Sequence, residues 1–237
     1  MLVSSEGIFL HQIRHTDRQH IVKIYTRQFG MLGMLMPATR RRGKSRMAFH
    51  PMMPVTVQFQ LRANRSLCYL NEVQLLHPLH QTLLSPVKTA QMLFLAEILL
   101  KSIREEEQNE HLFDFLLNGM LLLEQQEHEW PDFHLKFLLD LSRFLGFYPA
   151  DTFTEKAAWF SISDGAFLAS NDDLCFDLQT SRLLALLLRT SYDNLSLLAL
   201  NGTTRRSLLH ALLKYYSWHL HSVKDLKTPG ILEEVFR

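Results

Sequence analysis

The amino-acid sequence predicts an α+β protein, in which a small five-stranded barrel over residues 1–80 is followed by an α-helical domain over residues 81–237. Residues 7–77 consist of short β-favouring segments separated by turns, whereas after Pro78 the apolar residues recur at helical spacing. The charge changes at the same place. Residues 1–80 hold eleven lysines and arginines and three acidic residues, a net charge of +8, and the rest of the chain has a net charge of −7. The two parts are therefore expected to have different partners.

Five segments of the first part have the composition of strands. β-Branched residues are frequent in them, and in several the apolar and polar residues alternate. Gly30 suits a tight turn, and residues 64–66 suit a hairpin turn. Five strands within about 75 residues, with short connections, favour a small closed barrel. The predicted strands cover residues 7–13, 20–29, 31–36, 55–61 and 67–76.

The second part contains amphipathic helices, which have apolar residues at i, i+3, i+4 and i+7. Pro131 suits the first turn of the third helix, and Gly146 suits its C-terminal cap. Thr203 or Thr204 is expected to cap the last helix at its N-terminus. The predicted helices cover residues 92–103, 112–123, 133–145, 183–188 and 207–220, with strand-like pieces at residues 159–162 and 166–168.

Residues 39–46 form a very basic stretch, with five positive charges in eight residues between two predicted strands. A single charge run is often an ordinary solvated loop. Here an earlier predicted strand alternates cations with rings, and single-stranded nucleic acids are bound by phosphate contacts together with base stacking. The rings of that strand, Tyr25 and Phe29, could instead be core residues. The candidate DNA-binding residues are Lys23, Tyr25, Arg27, Arg40, Arg41, Arg42, Lys44, Arg46, Arg62, Arg65 and Tyr69.

The same loop has a second interpretation, because residues 43–45 (Gly-Lys-Ser) resemble the end of a phosphate-binding loop, G-x-x-x-x-G-K-[ST]. The first glycine of that motif is replaced by Ala38, and Pro51 and Pro54 follow where a helix should run. Without the glycine and the helix N-terminus, the backbone cradle for phosphates is missing. A nucleotide hydrolase is therefore disfavoured.

Motifs for metal binding and nucleophilic catalysis are weak. Cys68 and Cys175 are far apart, and neither has a C-x-x-C partner. The histidines at positions 77 and 80, and at 219 and 221, lack the cysteines or carboxylates of a zinc site, and no G-x-S-x-G occurs. We therefore expect no catalytic residue, no metal and no cofactor, which favours a protein that is not an enzyme. The N-terminus lacks the basic and apolar regions of a signal peptide, and this favours a cytoplasmic location.

The order of these features resembles the bacterial RecO family of DNA repair and recombination proteins. The resemblance begins with residues 6–10 (E-G-I-F-L), continues through residues 21–30 (I-V-K-I-Y-T-R-Q-F-G) and includes the basic stretch from Ala38 to Arg46. Residues 137–149, which end in L-G-F-Y-P, are similar to a family helix that ends in L-G-Y-x-P, and residues 206–220 to its terminal helix. The resemblance covers nearly the whole chain. It rests on the order and spacing of the motifs.

This family resemblance implies an N-terminal OB-fold barrel and an α-helical C-terminal domain. It implies a DNA-binding recombination mediator in a repair pathway of the RecFOR type, associated with the nucleoid. Such a mediator binds single- and double-stranded DNA, anneals complementary strands and, with RecR, helps to load RecA on DNA coated by single-stranded DNA-binding protein. The alternative is an OB-fold protein-interaction module without a direct DNA function, in which the charge is incidental.

Two further expectations follow from the resemblance. The helical domain is expected to bind the C-terminal tail of the coating protein, which ends in acids and phenylalanine, with Phe133, Lys136, Phe137 and Arg143 as candidates. Many family members carry a four-cysteine zinc module after the L-G-Y-x-P turn. Residues 150–177 contain only Cys175, so we expect this segment to fold without metal.

Overall fold

The computed structural model describes residues 1–37, 49–61, 67–103 and 108–236. They fall into two compact units. The barrel unit contains Met1–Ser85 and Met92–Glu127, and the helical unit contains Pro86–Gln91 and His128–Arg237. The barrel unit thus includes residues that follow the predicted domain boundary at residue 80, and that boundary stays a prediction.

The barrel unit is built on five strands: β1 (Leu2–Thr16), β2 (Gln19–Thr26), β3 (Gly30–Pro37), β4 (Pro54–Gln60) and β5 (Leu67–Leu75). They close into a barrel in the order β1-β2-β3-β5-β4. β3 and β5 pair in parallel, and the other neighbours pair antiparallel. The predicted five-stranded OB-fold barrel is confirmed.

The barrel core follows from the alternation of apolar and polar residues along the strands. In β4, Val55, Val57 and Phe59 have no exposed surface, whereas Gln58 is exposed. Successive side chains of a strand point to opposite faces, so alternate apolar residues line the inside of the barrel. The burial of this face is the main force that closes the barrel.

Three helices follow the barrel: α1 (His80–Leu84), α2 (Pro86–Ser102) and α3 (Glu110–Gln125). Asn109 caps α3, since its side-chain oxygen accepts a hydrogen bond from the Leu112 amide at 2.9 Å. At the other end of α3, the Glu124 carboxylate accepts hydrogen bonds from the amides of Gln81 and Thr82, both at 2.8 Å. These amides belong to the first turn of α1, whose N–H groups have no partner within the helix.

The helical unit is organised around α4 (Phe133–Phe144), of which nine of the twelve residues are buried. α4 packs against α5 (Leu178–Arg189), against a 3-10 helix (Tyr192–Leu198) and against α6 (Gly202–His219). The Tyr216 hydroxyl of α6 donates to the Leu138 carbonyl of α4 at 2.5 Å. A last short helix, α7 (Thr228–Val235), follows α6. The predicted α-helical second part is confirmed.

The end of α4 is the one that the sequence predicts. Gly146 has φ +85°, a left-handed conformation that glycine adopts without steric cost. The amides of Gly146 and Phe147 then donate to the carbonyls of Arg143 and Ser142, at 3.4 and 3.1 Å. Glycine therefore terminates the helix as expected.

Two predicted helix starts are wrong. Pro131 is not in the first turn of α4, because the helix begins at Phe133 and Asp132 occupies the N-cap. Neither Thr203 nor Thr204 caps α6. The cap is Asn201, whose side-chain oxygen accepts a hydrogen bond from the Thr204 amide at 2.9 Å. Asparagine is preferred over threonine at an N-cap. The helix begins five residues before the predicted start at residue 207, and this brings Asn201 to the N-cap.

Residues 150–177 fold around aromatic side chains. The strand-like pieces predicted there form β6 (Trp159–Ser161) and β7 (Ala166–Leu168), which pair antiparallel. Phe160 has no exposed surface, and its ring contacts three others with centroid distances of 5.1–5.3 Å: Phe167, Phe176 and Tyr215. Within the described residues, no helix has both the length and the apolar character needed to cross a membrane.

Candidate nucleic-acid interface

The β1–β2 hairpin is the most exposed part of the described barrel. β1 runs to Thr16 and β2 begins at Gln19, so Asp17 and Arg18 form a two-residue turn. β1 pairs with β4 only from Leu2 to Ile8. Beyond that, the strand pairs with β2, and every residue from position 11 to position 18 is exposed. In OB-folds the connection between strands 1 and 2 is one of the loops that bind oligonucleotides.

This hairpin carries cations that the sequence prediction missed. Arg14 and Arg18 lie at its tip, with His11, His15 and His20 on the adjacent strand residues. Arg14 forms an exposed ion pair with Asp17. The prediction ended the first strand at residue 13. No apolar pattern marks the strand beyond residue 13, so the sequence offered no signal that would have placed Arg14 and Arg18 on a hairpin tip.

Lys23 and Tyr69 are two of the described candidates whose side chains reach the surface of the barrel. Lys23 is half-buried in β2, between His11 of β1 and Gly33 of β3. Tyr69 lies on β5, and 37% of the residue is exposed. An exposed tyrosine ring can stack on a nucleic-acid base.

Tyr25 is different, because it has no exposed surface. Its ring lies against Phe113 of α3 with a centroid distance of 6.5 Å, and its hydroxyl donates to the Asn109 carbonyl at 3.2 Å. A ring without a free face cannot stack on a base. The structure therefore corrects the prediction for Tyr25, which is a core residue between the barrel and α3.

Arg27 binds two carboxylates of its own unit. Its Nε lies 2.8 Å from the Glu6 carboxylate, and its Nη1 lies 2.6 Å from the Asp114 carboxylate. The guanidinium also lies over the Phe113 ring, 4.4 Å from the centroid. Burial lowers the pKa of Arg27, but hydrogen bonds and charges from Glu6 and Asp114 outweigh it and raise the pKa. Arg27 thus joins β2 to β1 and α3, and its predicted role in holding phosphate stays a prediction.

Replacing Arg27 with alanine is expected to lower the free energy of unfolding by about 1–2 kcal/mol, since it removes partly buried hydrogen bonds to charged groups. DNA affinity should change little. Urea denaturation and a DNA titration of the same variant measure the two effects. The matched control is Arg14→Ala, which breaks an exposed pair and should cost less than about 0.5 kcal/mol. A large loss of DNA affinity without a loss of stability would show that Arg27 contacts DNA.

The remaining DNA-binding candidates lie outside the described residues. Five of them belong to the basic stretch of residues 39–46, and two belong to the connection between β4 and β5. They are Arg40, Arg41, Arg42, Lys44, Arg46, Arg62 and Arg65. Their place in the interface stays a prediction.

The candidates for binding a partner's tail do not form a surface groove. Phe133 and Phe137 have no exposed surface, and their rings contact each other at 5.6 Å. Lys136 is also buried, with its ammonium 3.2 Å from the Asp140 carboxylate. Arg143 alone among the four is exposed, and its guanidinium lies 4.1 Å from the centroid of the Tyr148 ring. The burial of three of these residues corrects the predicted groove.

Comparison with protein families covers both parts of the chain. The model described as "Recombination protein O N terminal" matches residues 1–79, and the model described as "Recombination protein O C terminal" matches residues 83–228. The chain belongs to the RecO family. It is 32% identical over 242 residues to a DNA repair protein RecO from Bacteroides fragilis and 30% identical over 240 residues to one from Azobacteroides pseudotrichonymphae. Each match covers 100% of both chains. Membership of the RecO family supports a role in DNA repair.

The zinc module of many RecO-family members does not fit this chain. Cys175 is the one cysteine in the segment, and burial raises the pKa of its thiol, which opposes the thiolate form that zinc requires. In the described ranges, no three His, Cys, Asp or Glu residues lie close enough to hold a metal. Other contacts hold the segment in place of a metal. Arg189 of α5 makes two hydrogen bonds of 2.8 Å to the Asp151 carboxylate, and Phe160 lies at the centre of the aromatic cluster.

Proposed function

We propose that this protein is a recombination mediator that binds DNA across its barrel and is not an enzyme. It acts at the nucleoid, anneals complementary single strands and, together with RecR, helps to load RecA on DNA coated by single-stranded DNA-binding protein. The observation that carries the proposal is the concentration of positive charge, +8 over residues 1–80, on a five-stranded OB-fold barrel. OB-folds with a basic groove and exposed rings bind single strands.

The proposed interface combines three parts of the barrel. The basic stretch of residues 39–46 and the cations Arg62 and Arg65 neutralise phosphates. Lys23 and the exposed β1–β2 hairpin add further charge, and Tyr69 offers a ring for stacking. A protein that neutralises the phosphates of two strands lowers their mutual repulsion, which favours annealing. The helical unit, residues 86–91 and 128–237, has a net charge of −1, which gives it no strong attraction for DNA.

Changing Arg40, Arg41, Arg42 and Lys44 together to alanine is expected to lower the affinity for single-stranded DNA several-fold or more. The slope of log affinity against log salt should become shallower by about 0.7 for each phosphate that the variant no longer neutralises. A gel-shift titration over a salt series measures both quantities. Changing Arg14 and Arg18 to alanine in the same assay should give a smaller loss, because two charges are removed and one of them is paired with Asp17.

The matched control removes four exposed cations from the helical unit: Lys156, Arg182, Lys214 and Lys224. It changes the net charge by the same amount and should leave DNA affinity within about twofold of the wild type, since these cations lie outside the barrel unit to which the proposal assigns DNA binding. An equal loss in both variants would show that only total charge matters. No binding by the wild type at low salt would favour the alternative, a protein-interaction module.

A further inference from the structure

The β1–β2 hairpin carries histidines to which the proposed function assigns no role. The chain has twelve histidines, and three of them lie within ten residues of this hairpin: His11, His15 and His20. Histidine is the side chain whose ordinary titration falls closest to physiological pH. The charge of the hairpin therefore depends on pH in the range where a cell lives.

Two of these histidines, His11 and His15, are exposed on β1. His11 lies opposite Lys23 in the register of β1 and β2. The register shifts between Arg14 and Thr16, so His15 occupies a bulge and has no partner on β2. A bulge re-aims the side chain that it carries. Both imidazoles can therefore reach a ligand in solvent without a change in the fold of the barrel.

The charged groups around these two histidines are mostly cations. Lys23 lies opposite His11, and Arg14 and Arg18 lie beside the bulge. The one acid of the hairpin, Asp17, is the ion-pair partner of Arg14. The hairpin thus keeps an excess of positive charge, which suits an anionic ligand. An anion close to an imidazole favours the protonated form of the ring.

The outer edge of β1 adds one more titratable group. β4 pairs with β1 only as far as Ile8, and the segment before β4 then lies beside Phe9, whose amide donates to the Met53 carbonyl at 2.9 Å. His50 is exposed in the described part of this segment. A test of the hairpin histidines must therefore separate them from His50.

His20 differs from the other two histidines of the hairpin. It is half-buried opposite Arg14, and its Nδ1 is enclosed without a hydrogen-bond partner among the described residues. A protonated imidazole carries a hydrogen on both nitrogens, and burying one of them without an acceptor costs free energy. His20 is therefore expected to stay neutral, which makes it a control within the same hairpin.

We propose that His11 and His15 bind DNA phosphates in their protonated form, so that DNA binding takes up protons and strengthens as the pH falls. An imidazolium donates charge-assisted hydrogen bonds to phosphate oxygens. Because the phosphate favours the protonated ring and the protonated ring favours the phosphate, DNA and protons bind cooperatively. The inference rests on the proposed DNA-binding function and adds to it a dependence on pH.

The test measures the binding of a rhodamine-labelled oligothymidylate by fluorescence anisotropy, at pH 7.5 and at pH 6, over a salt series. The affinity of the full-length wild type should rise by about fivefold to tenfold at pH 6, since histidine ordinarily titrates near pH 6.5. The slope of log affinity against log salt should become steeper by about 1, because protonated histidines neutralise further phosphates. Circular dichroism at both pH values checks that the protein stays folded.

Two variants separate the charge of the histidines from their shape. His11→Gln with His15→Gln should lose most of the rise in affinity and most of the change in salt slope. His11→Lys with His15→Lys is charged at both pH values. It should bind at pH 7.5 about as tightly as the wild type binds at pH 6, and it should show little further rise. Both positions are exposed, so neither variant removes a core contact.

Three controls should keep the rise in affinity. His20→Gln changes the half-buried histidine of the hairpin, and His50→Gln changes the exposed histidine before β4. His128→Gln with His221→Gln changes two exposed histidines of the helical unit. A rise that persists in the double glutamine variant of the hairpin, or that disappears in a control, would overturn the inference.

Failure of the inference can be told apart from failure of the proposed function. DNA binding with equal affinity at pH 7.5 and pH 6 would overturn the role of His11 and His15 and leave DNA binding by the barrel intact. A wild type that binds no DNA at either pH, even at low salt, would overturn both.

Discussion

Replacing Arg205 with alanine is expected to lower the free energy of unfolding by about 3–5 kcal/mol, because it leaves a buried carboxylate without its partner. The side chains of Arg205 and Asp132 are 11% and 7% exposed, and Arg205 Nε lies 2.6 Å from Asp132 Oδ1. The guanidinium also donates to the Leu200 carbonyl at 2.8 Å. The pair joins the start of α6 to the start of α4. Urea denaturation followed by far-ultraviolet circular dichroism measures the loss.

Two variants separate this effect from the general loss of an arginine. Arg182→Ala breaks a pair in which both side chains are more than half exposed, and it should cost less than about 1 kcal/mol. Asp132→Asn combined with Arg205→Met removes both charges and should recover much of the lost stability, since a buried ion pair contributes little net free energy. A loss for Arg205→Ala no larger than that for Arg182→Ala would contradict the assignment.

Acid is expected to destabilise the protein through His134. Burial, and then the positive charge of Arg205, lower the pKa of this histidine from 6.5 to about 3. Gln91 Nε2 lies 3.3 Å from its Nδ1. Between pH 6.5 and about 3, the unfolded chain binds a proton at His134 that the folded chain does not. Stability from this group is therefore complete above pH 6.5 and falls with decreasing pH, by about 1.4 kcal/mol per pH unit.

Protonation of Asp132, the carboxylate beside Arg205, has the opposite effect on the free energy of unfolding at lower pH. Burial raises the pKa of Asp132, although the hydrogen bond and charge of Arg205 oppose this. The folded chain then takes up a proton at Asp132 more readily than the unfolded chain does, which offsets part of the loss as the pH approaches the ordinary range of an aspartate. The effect of His134 is thus clearest between pH 6.5 and pH 5.

The measurement compares the free energies of unfolding at pH 7 and pH 5. The wild type should lose about 2 kcal/mol more than His134→Gln over this interval. The control, His128→Gln, changes an exposed histidine of the same unit and should behave as the wild type. If His134→Gln does not fold, the imidazole resonance of His134 in the wild type should stay constant from pH 7 to pH 5. Titration of that resonance near pH 6.5 would refute the expectation.

The strands could be predicted well, because their signals are local. Alternation in residues 55–61 and the β-branched content of residues 20–29 do not depend on distant contacts. The extent of β1 could not be predicted in the same way. Its last residues are held by pairing with β2 and are exposed on both faces, so no apolar pattern marks them. The cations of the hairpin tip were missed for this reason.

The candidate site, like the strands, could be predicted only in part. A period of two shows which side chains share a face of a strand, but it does not show what covers that face. Tyr25 and Arg27 looked like part of an exposed basic face, and α3 covers both with Phe113, Asn109 and Asp114. In α4, Phe133, Lys136 and Phe137 were predicted to line a groove on one side of the helix. That side is buried too, because α5, α6 and the 3-10 helix surround α4.

The sequence alone determined the class of the fold, the number of strands, the basic stretch of residues 39–46 and the family resemblance. These depend on composition, periodicity and spacing, which are properties of the chain read in order. Only the tertiary structure decided that Tyr25 and Phe133 are core residues and that Arg205 is buried beside Asp132. It also placed the Phe236 ring, at the end of α7, against the ring of His134. Burial and ion pairing are made by residues distant in sequence, such as Asp132 and Arg205, and no local pattern records which of them will meet.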